Sequence, residues 1–597
     1  MKLRKTLRIL SAALSLLIIL SMLTSCGIVN LIANSIVTSA STSANKVDFN
    51  TLEYERPDFF AIRAGFESLI QKVKEQPSYI ILNFLASKTL MAYQDAMTMF
   101  SLVQIRFYAN VNDTEAEEEI NYCTAEFSKM DPLVNEFYAS LIEYGYKDTL
   151  LYGMSETDFE YIELRKKLFD EEYEALTTER TKLENQYMAL PSQITVYSEG
   201  GKDYTIAECK ELYGTGEMSM DDYRAAVNRY YSELAKSSFP IYMRMIEIDN
   251  TLAQKVGYDS YADYSYRYVY SRDYAPSETV GISDTVQGKI VPLYQKVMNA
   301  IDKDIVADIL SRKDHTLDAY DSIISEYAQE ISGDMYRAYK DLKKYNLSII
   351  GSDDGMQQAG FTTYLYTYEM PFMYIYTYGD IDDINTFVHE FGHFYAFHYN
   401  TYESDNIIDI SEIQSQTSEW LFLPYYDLTE EELAQYTLYR LSSTLSNIIE
   451  GCLYDEFQRA VYENANELKT ADDLNALFKD IADHYQYESM YQSYDISTLW
   501  AGIHHNFTAP FYYVSYAVSA LSALEIYSIS LEDRAEAIDI YNAICDDFGN
   551  NEYSDKLKDC GLSNPLDKNE TFDYITEIID KAIKKAQAVP STEQIAA

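Results

Sequence analysis

Residues 389–393 read His-Glu-Phe-Gly-His, and no other stretch constrains this chain as strongly. On an α-helix, residues four apart lie about 40° apart around the axis, so the imidazoles of His389 and His393 can reach one metal ion. Glu390 follows about 100° further round, close enough to accept a proton from water that the ion activates. The spacing therefore predicts a metal-binding helix and favours zinc-dependent peptide hydrolysis.

One side of this predicted helix is apolar and the other carries the histidines. At about 100° per residue, five apolar side chains fall on one stripe, namely Ile384, Phe387, Val388, Phe391 and Tyr395. Asp382 or Asp383 is predicted to cap the start of the helix. Gly392 costs about 1 kcal/mol of helix stability relative to alanine, which predicts that something approaches the backbone closely there.

A second helix is predicted downstream, over residues 409–424. Asp409 or Ser411 can cap its start and Pro424 can end it. Four polar side chains at positions i, i+3, i+4 and i+7 share one face of this helix, namely Glu412, Ser415, Gln416 and Glu419. A row that contains two carboxylates suits a metal ligand and its hydrogen-bonding support, although many such rows are simply solvated.

Glu412 is the predicted third metal ligand. A catalytic zinc ion usually takes three protein ligands and keeps one position for water, and His389 and His393 supply only two. Glu419, two turns further on, is predicted to accept an N–H from a ligand histidine and so to fix its ring. If Glu412 does not bind the metal, Glu419 or Glu403 is next in line.

The two motifs together resemble a known family. H-E-F-G-H followed by E-x-x-S-Q-x-x-E is similar to the thimet oligopeptidase and oligoendopeptidase F family of zinc metallopeptidases. The resemblance covers roughly residues 355–525. Within it, further segments similar to oligoendopeptidase F are residues 359–364, 370–372, 382–384 and 509–517.

This resemblance implies a mainly α, two-lobed zincin-like fold with a small β-sheet beside the metal-binding helix. It also implies a deep channel that admits short oligopeptides and excludes folded proteins. The family places a histidine and tyrosines over the metal, where they stabilise the oxyanion. His505 and Tyr516 are the first choices for that role, and the alternates are His504, Tyr512 and Tyr513.

Two positions depart from the family pattern. Eighteen residues separate His393 from Glu412, a gap that matches thermolysin-type and aminopeptidase-type zinc enzymes. A zinc exopeptidase is therefore the alternative enzyme, and a peptide-binding lipoprotein that has lost catalysis is the alternative from another class. A histidine that the family often has is Ala396 here, while His398 falls on the apolar stripe and is predicted to be a packed core residue.

Residues 361–378 alternate tyrosines with other residues, which predicts two strands separated near Met370 and Pro371. Proline places its neighbourhood at a sheet edge or in a turn. A strand just before the metal-binding helix could offer a free edge to which a peptide substrate adds as a further strand. An ordinary hairpin in a small sheet fits the same pattern.

The chain begins like an exported bacterial lipoprotein. A basic start is followed by an uncharged run from Ile9 to Cys26, which is typical of a secretory signal. The run ends in Leu23-Thr-Ser-Cys-Gly, similar to the lipobox in which the cysteine is lipidated. We therefore predict an extracytoplasmic protein that a lipid on Cys26 anchors to the bacterial cell membrane. An uncleaved signal anchor is the alternative.

About 570 mature residues exceed what one hydrophobic core accommodates, so two lobes are expected in a monomer. The predicted order is a signal peptide over 1–26, a flexible tether over 27–49, an N-terminal helical lobe over 50–346, a catalytic zinc peptidase lobe over 347–587 and a disordered tail over 588–597.

The net charge of −48 narrows the possible partners. It argues against nucleic acid, whose phosphates would be repelled. It also argues against electrostatic docking on anionic lipid, so any membrane anchor is expected to be covalent. Five cysteines follow Cys26, and a set that is small, scattered and odd in number does not predict a disulfide framework.

Overall fold

The computed structural model describes residues 46–151, 156–400, 407–491, 494–546, 552–567 and 572–588. The predicted signal peptide, the lipidated Cys26, most of the tether, Glu403 and residues 589–597 lie outside these ranges. Among the helices within them, none has both the length and the apolar character that crossing a bilayer requires. Free thiols are found at all the described cysteines, namely Cys123, Cys209, Cys452, Cys545 and Cys560.

The fold is mainly α, as the sequence predicts. The helices before the metal motif are Phe59–Lys74, Tyr79–Ala109, Thr114–Glu143, Lys147–Leu150, Glu156–Arg165, Glu171–Gln193, Ile206–Thr215, Met220–Lys255, Tyr261–Tyr264, Thr279–Thr285, Val291–Ala300, Lys303–Ser311, Leu317–Ile331 and Gly333–Lys344. From the motif onward they are Ile381–Asn400, Ile408–Phe422, Glu430–Glu463, Ala471–His484, His505–Thr508, Val514–Ser530, Arg534–Cys545, Tyr553–Asp559 and Asp573–Ala588.

Side-chain caps fix the starts of many of these helices, because the first N–H groups of a helix have no partner within it. Asp58 accepts the N–H of Ala61 at 3.0 Å at the start of the first helix. Thr429 and Glu432 form a reciprocal capping box at the start of Glu430–Glu463.

Three strands form a small mixed sheet, and a separate hairpin pairs Thr195–Glu199 with Lys202–Thr205. The three strands are Ser348–Gly351, Gly360–Leu365 and Met370–Tyr376. The last of them lies in the middle, parallel to the first and antiparallel to the second. A small sheet therefore leads directly into the helix that carries the histidines.

Pro371 lies in the central strand, although the sequence predicts an edge or turn for it. The register explains the difference. Pro371 is opposite Tyr364, and the N–H of Tyr376 donates to Ala359 O at 2.7 Å. Since hydrogen-bonded pairs alternate along antiparallel strands, the position opposite Tyr364 needs no N–H from its partner. The strand directly before the motif helix is central and has no free edge. The edge strands are Ser348–Gly351 and Gly360–Leu365, and we call the outer side of Gly360–Leu365 the free edge.

Buried apolar side chains form two main groups. One comprises residues between 59 and 162, and the larger comprises residues between 102 and 579. The motif helix lies inside the larger group, with Phe391 and Phe394 fully buried. The predicted lobe boundary at residue 346 also falls within the larger group, and the domain limits stay predictions.

His398 is packed, as predicted, but it has polar partners. Its side chain is 10% exposed, and its Nε2 atom lies 2.9 Å from Asp341 Oδ2. Lys46, the first described residue, completes a charged group with Nζ 2.6 Å from Asp341 Oδ2 and 2.9 Å from His398 Nε2. The apolar stripe thus ends before His398, which pairs with polar partners and takes no part in the metal motif.

Candidate metal centre

The motif helix, Ile381–Asn400, begins two residues earlier than a cap at Asp382 would allow and three earlier than a cap at Asp383 would allow. Asp380 is the cap, and its Oδ1 accepts the N–H of Asp382 at 3.2 Å. Asp383 lies inside the first turn, where its carboxylate accepts three N–H groups from residues 378–380. The predicted cap at Asp382 or Asp383 is wrong because the preceding loop folds back over the helix start, which the residue pattern alone does not show.

Gly392 lies where the motif helix crosses the next helix, Ile408–Phe422, which we call the acidic helix. A Cβ atom on Gly392 would lie 2.8 Å from Gln414 O and 2.8 Å from Ser415 Cα. Contacts that short do not occur, so only glycine permits this approach. The prediction of a close backbone contact at Gly392 is confirmed, and the crossing brings the face of Glu412 against the two histidines.

The crossing places three potential ligand atoms together. One atom each from His389, His393 and Glu412 lie within 4.8 Å of one another. Glu412 Oε2 is 3.7 Å from His389 Nε2. Two imidazole nitrogens and one carboxylate oxygen form a donor set that suits zinc and leaves a position for water. The three residues that the sequence singles out as ligands are thus brought to one point.

Glu419 supports this set from two turns further along the acidic helix. Its Oε1 atom is 2.7 Å from His389 Nδ1, so Nδ1–H donates to the carboxylate and Nε2 is left to face the metal position. Asn385 and Arg440 both donate to Glu419 Oε2. Burial works to raise the pKa of Glu419, but Arg440 and His389 together lower it, which keeps this carboxylate ionised.

The charges around the two histidines favour a cation. Burial lowers the pKa of His389, yet its hydrogen bond to Glu419 and the charges of Glu419, Glu412 and Glu390 raise it to about 9. The carboxylates of Glu390, Glu412 and Glu419 thus lie around the two histidines. Arg440 pairs with Glu419. A divalent metal ion at this point would be attracted by the same negative field.

Glu390 lies beside the metal position and under the free edge of the sheet. The hydroxyl of Thr362 donates to Glu390 Oε2 at 2.9 Å and also lies 3.0 Å from Glu390 O. Gly360 provides room, because a Cβ there would lie 3.4 Å from Glu390 Oε1. Burial raises the pKa of Glu390 to about 7, against the lowering effects of His389 and Thr362. A carboxyl group with this pKa can take and return a proton near neutrality.

The start of the acidic helix is fixed by a buried ion pair and not by a side-chain cap. Ile407 precedes the helix, so the predicted cap at Asp409 or Ser411 is wrong. Asp409 Oδ2 lies 3.3 Å from Arg272 Nε and accepts the hydroxyl of Tyr274 at 2.7 Å. Both charged side chains are fully buried. The Asp409 carboxylate therefore serves as the counter-ion of Arg272 and does not cap the helix.

The loop before Val514–Ser530 places a tyrosine on Glu412. The hydroxyl of Tyr512 donates to Glu412 Oε1 at 3.0 Å, so this alternate oxyanion donor contacts the candidate ligand itself. Phe511 has φ of 69°, in the left-handed region, which costs of order 1–3 kcal/mol for a residue with a side chain. The N–H of Phe511 donates to Gln458 Oε1, and Arg272 donates to Phe511 O at 3.0 Å.

Tyr516 and His505 occupy different positions around the site. Tyr516 is half-buried, and its pKa is raised by burial together with the nearby charges of Glu412 and Glu390. His505 is fully buried beside Tyr512 and Tyr513, with ring centroids 5.2 and 4.9 Å away. Within the described part of the chain, neither ring nitrogen of His505 has a hydrogen-bond partner. The structure brings Tyr516 nearer the candidate ligands, and the oxyanion role of both residues stays a prediction.

Several residues around the site escape the sequence analysis, among them Asn385, which donates to Glu419. Thr362 reaches Glu390 from the sheet, Arg440 reaches Glu419 from the helix Glu430–Glu463, and Arg272 reaches Asp409 across 137 positions of sequence. Arg272 is the one with a visible signal, since it lies, like Arg267, among the tyrosines at 266, 268, 270 and 274 in a chain that is poor in basic residues. An arginine in such a segment predicts stacking on aromatic rings, which the structure shows with Tyr266 and Tyr270.

Comparison with known proteins agrees with this arrangement. Residues 49–169 match the family model of the peptidase M3 N-terminal domain. A curated relative, Oligopeptidase PepF of Bacillus subtilis, is 25% identical over 181 residues. That alignment covers 29% of this chain and 27% of the relative, so less than two thirds of the relative is matched.

Solved structures share the fold over nearly the whole chain. PZ peptidase A with an inhibitor has a TM-score of 0.73 at 22% identity, covering 91% of this chain and 99% of that one. A protein described as an oligoendopeptidase F from Bacillus anthracis has a TM-score of 0.70 at 20% identity, covering 92% and 100%. These matches show that the chain has the fold of the oligoendopeptidase F structures and that its residues 49–169 are similar to the peptidase M3 N-terminal domain.

Proposed function

We propose that this protein is a zinc-dependent endopeptidase that hydrolyses short oligopeptides outside the cytoplasm. The proposal rests on one observation: potential ligand atoms of His389, His393 and Glu412 lie within 4.8 Å of one another, next to the buried carboxyl group of Glu390. M3 peptidases are metal-dependent, and the nitrogen and oxygen donors here fit zinc. When bound, zinc would polarise the scissile carbonyl and acidify water.

Glu390 would act as the general base and then as the general acid. It would take a proton from the attacking water and later deliver it to the leaving amine. Thr362 holds one oxygen of Glu390, so the other oxygen is left to face the water. Tyr516 would donate a hydrogen bond to the oxyanion as it develops, with His505 as the second candidate.

The free edge of the sheet would bind the peptide. Since odd-numbered residues of Gly360–Leu365 pair with the central strand, Gly360 and Thr362 direct their backbone groups to the opposite side. No strand pairs with that side among the described residues. A substrate added there as a strand would pass directly over Glu390, because the Thr362 side chain bridges the two. Recognition through the backbone tolerates many side chains, which suits a peptidase of mixed peptides.

A zinc exopeptidase of the thermolysin or aminopeptidase type is the second candidate. The eighteen residues between His393 and Glu412 favour it. Lipid attachment at Cys26, a location at the outer face of the membrane and a monomeric state belong to the proposal and rest on the sequence.

We expect the purified protein to cleave an internally quenched peptide that is blocked at both ends. A zinc chelator should abolish the cleavage and added zinc should restore it, since three protein ligands hold the ion reversibly. Mass spectrometry of the products on a mixed peptide pool would map the bonds cut. Cleavage that requires a free amino terminus and releases single residues would favour the exopeptidase instead. Cleavage that the chelator leaves unchanged would contradict both.

Thr362→Val is expected to lower kcat about tenfold with KM little changed. The two side chains have the same shape, so the variant removes only the hydroxyl that orients Glu390, which corresponds to about 1–1.5 kcal/mol. Thr362→Ser is the matched control, because it keeps the hydroxyl and should retain most of the rate. If valine and serine lower kcat equally, the hydrogen bond to Glu390 does not position the base.

A further inference from the structure

One helical hairpin exposes an unusual amount of apolar surface. Eleven large apolar side chains are exposed in the described part of the chain, and seven of them lie between residues 60 and 91. We call these seven the tip face; they are Phe60, Tyr79, Ile80, Ile81, Phe84, Leu85 and Met91. Phe60 and Phe84 are 80% and 79% exposed. The total is on the order of several hundred Å², which in a soluble monomer marks an interaction site.

The helix Tyr79–Ala109 is apolar on two opposite sides in its first half. Its inner side packs in the core through Leu82, Ala86, Leu90 and Tyr93. On the outer side, Ile80, Phe84 and Met91 fall within about 40° of one another around the axis. An amphipathic surface helix has polar residues on its outer side, and a helix that is apolar all round normally has both sides covered. Something outside the described chain is therefore expected to cover the tip face.

The charge of this hairpin is opposite to that of the molecule. Residues 79–94 contain no acidic residue, although the chain has 95 acids in 597 residues. Across residues 59–94 there are four basic and two acidic residues, a net charge of +2 in a chain of −48. Lys74 and Lys88 form no ion pair among the described residues, and both are exposed. Positive charge beside exposed aromatic and aliphatic side chains is typical of a surface that lies on a membrane.

The tip face is separate from the metal centre. Ser101, further along the same helix, donates to Tyr364 O at the sheet. Phe84 precedes Ser101 by seventeen residues, which is about 25 Å of helix. The tip face therefore does not contribute to the contacts around Glu390, and another function must account for it.

We propose that the tip face docks on the surface of a lipid bilayer, with Phe60, Ile80 and Phe84 entering the headgroup region and Lys74 and Lys88 facing anionic lipid. The net charge of the chain opposes such docking only weakly, because charges beyond about 8 Å are screened at physiological salt. A symmetric contact between two copies fits less well, since the same face of each copy would meet the other and the interface would gather the lysines of both copies. The docking does not depend on the predicted lipid at Cys26.

The test places a tryptophan in the tip face of the full chain. Trp420 and Trp500 are buried, so the added emission of Phe84→Trp reports on position 84. Met220→Trp is the matched control, because Met220 is 44% exposed and lies at the start of another helix. Both variants are mixed with vesicles that contain 30% anionic lipid and brominated acyl chains. Both carry the same N-terminal segment, so any anchoring by it is equal.

We expect brominated lipid to quench the added emission of Phe84→Trp and to leave that of Met220→Trp unchanged. Adding Lys74→Glu and Lys88→Glu should weaken the quenching by roughly fivefold per lysine on anionic vesicles. Equal quenching of the two tryptophans would overturn the proposal. So would a blue-shifted, unquenched Phe84→Trp together with a dimer in sedimentation, which would assign the tip face to a second copy. Peptide cleavage is not measured, so this result is independent of the proposed function.

Discussion

Glu390→Gln will lower kcat/KM for a blocked peptide by at least about a hundredfold while the protein keeps its metal. Glutamine has the size of glutamate and can still accept the hydroxyl of Thr362, which lies 2.9 Å from Glu390 Oε2. It cannot take a proton from water at neutral pH. The expected loss is therefore in the chemical step, and KM should change little.

The local structure strengthens this expectation. Glu390 is 4% exposed, and its neighbours leave no second side chain in a position to replace it. Glu412 accepts a hydrogen bond from Tyr512 and belongs to the candidate ligand set. Glu419 is held by His389, Asn385 and Arg440.

Metal analysis separates the base from the ligands. After dialysis, Glu390→Gln should retain one equivalent of zinc, whereas Glu412→Ala should lose both zinc and activity because it removes one of three protein ligands. Unchanged turnover in Glu390→Gln would refute its role as the base. Full zinc content in Glu412→Ala would move the third ligand to another carboxylate.

The sequence predicts the parts of the site that depend on spacing within one helix. His389, His393 and Glu390 follow from a five-residue motif, and Gly392 predicts the close helix crossing. Glu412 and Glu419 follow from the i, i+7 spacing on one face. These predictions succeed because helix geometry is fixed by 3.6 residues per turn, whatever surrounds the helix.

The sequence-based predictions are wrong where tertiary contacts determine the partner of a side chain or the place of a strand. Asp382, Asp383 and Asp409 look like helix caps, yet Asp380 caps the motif helix and the carboxylate of Asp383 is taken by N–H groups of the loop that folds back over the helix start. Asp409 is paired with Arg272, 137 positions earlier. Pro371 looks like an edge residue, but its position in the register removes the need for its N–H. Propensity gives way to tertiary structure in each case, because a buried charge or backbone group must find its partner wherever the fold provides one.

The buried pair of Arg272 and Asp409 shows what such a partner does for the site. Arg272 also donates to Phe511 O and to Ser515 Oγ. One guanidinium therefore joins the start of the acidic helix to the loop that holds Tyr512 against Glu412. The position of Tyr512 against Glu412 therefore rests on a long-range contact, which the H-E-x-x-H motif does not reveal.

Gly392→Val will destabilise the fold and weaken zinc binding. A Cβ at this position would lie 2.8 Å from Gln414 O and from Ser415 Cα. These are backbone atoms, so no side-chain rotation relieves the contact and the two helices must move apart. Overpacking of this kind costs about 1–3 kcal/mol, more than the roughly 1 kcal/mol that leaving glycine gains for the helix.

The same movement would separate Glu412 from the histidines. Glu412 Oε2 is only 3.7 Å from His389 Nε2, and a metal ion requires both at about 2 Å from itself. Urea unfolding with and without zinc would measure the two effects, since the stabilisation of the folded state by zinc rises with the logarithm of its affinity. Gly281→Ala is the matched control: nothing lies within 4 Å of a Cβ there, so alanine should stabilise the chain slightly. A Gly392→Val protein that unfolds like the parent and gains as much from zinc would show that the crossing does not set the ligand geometry.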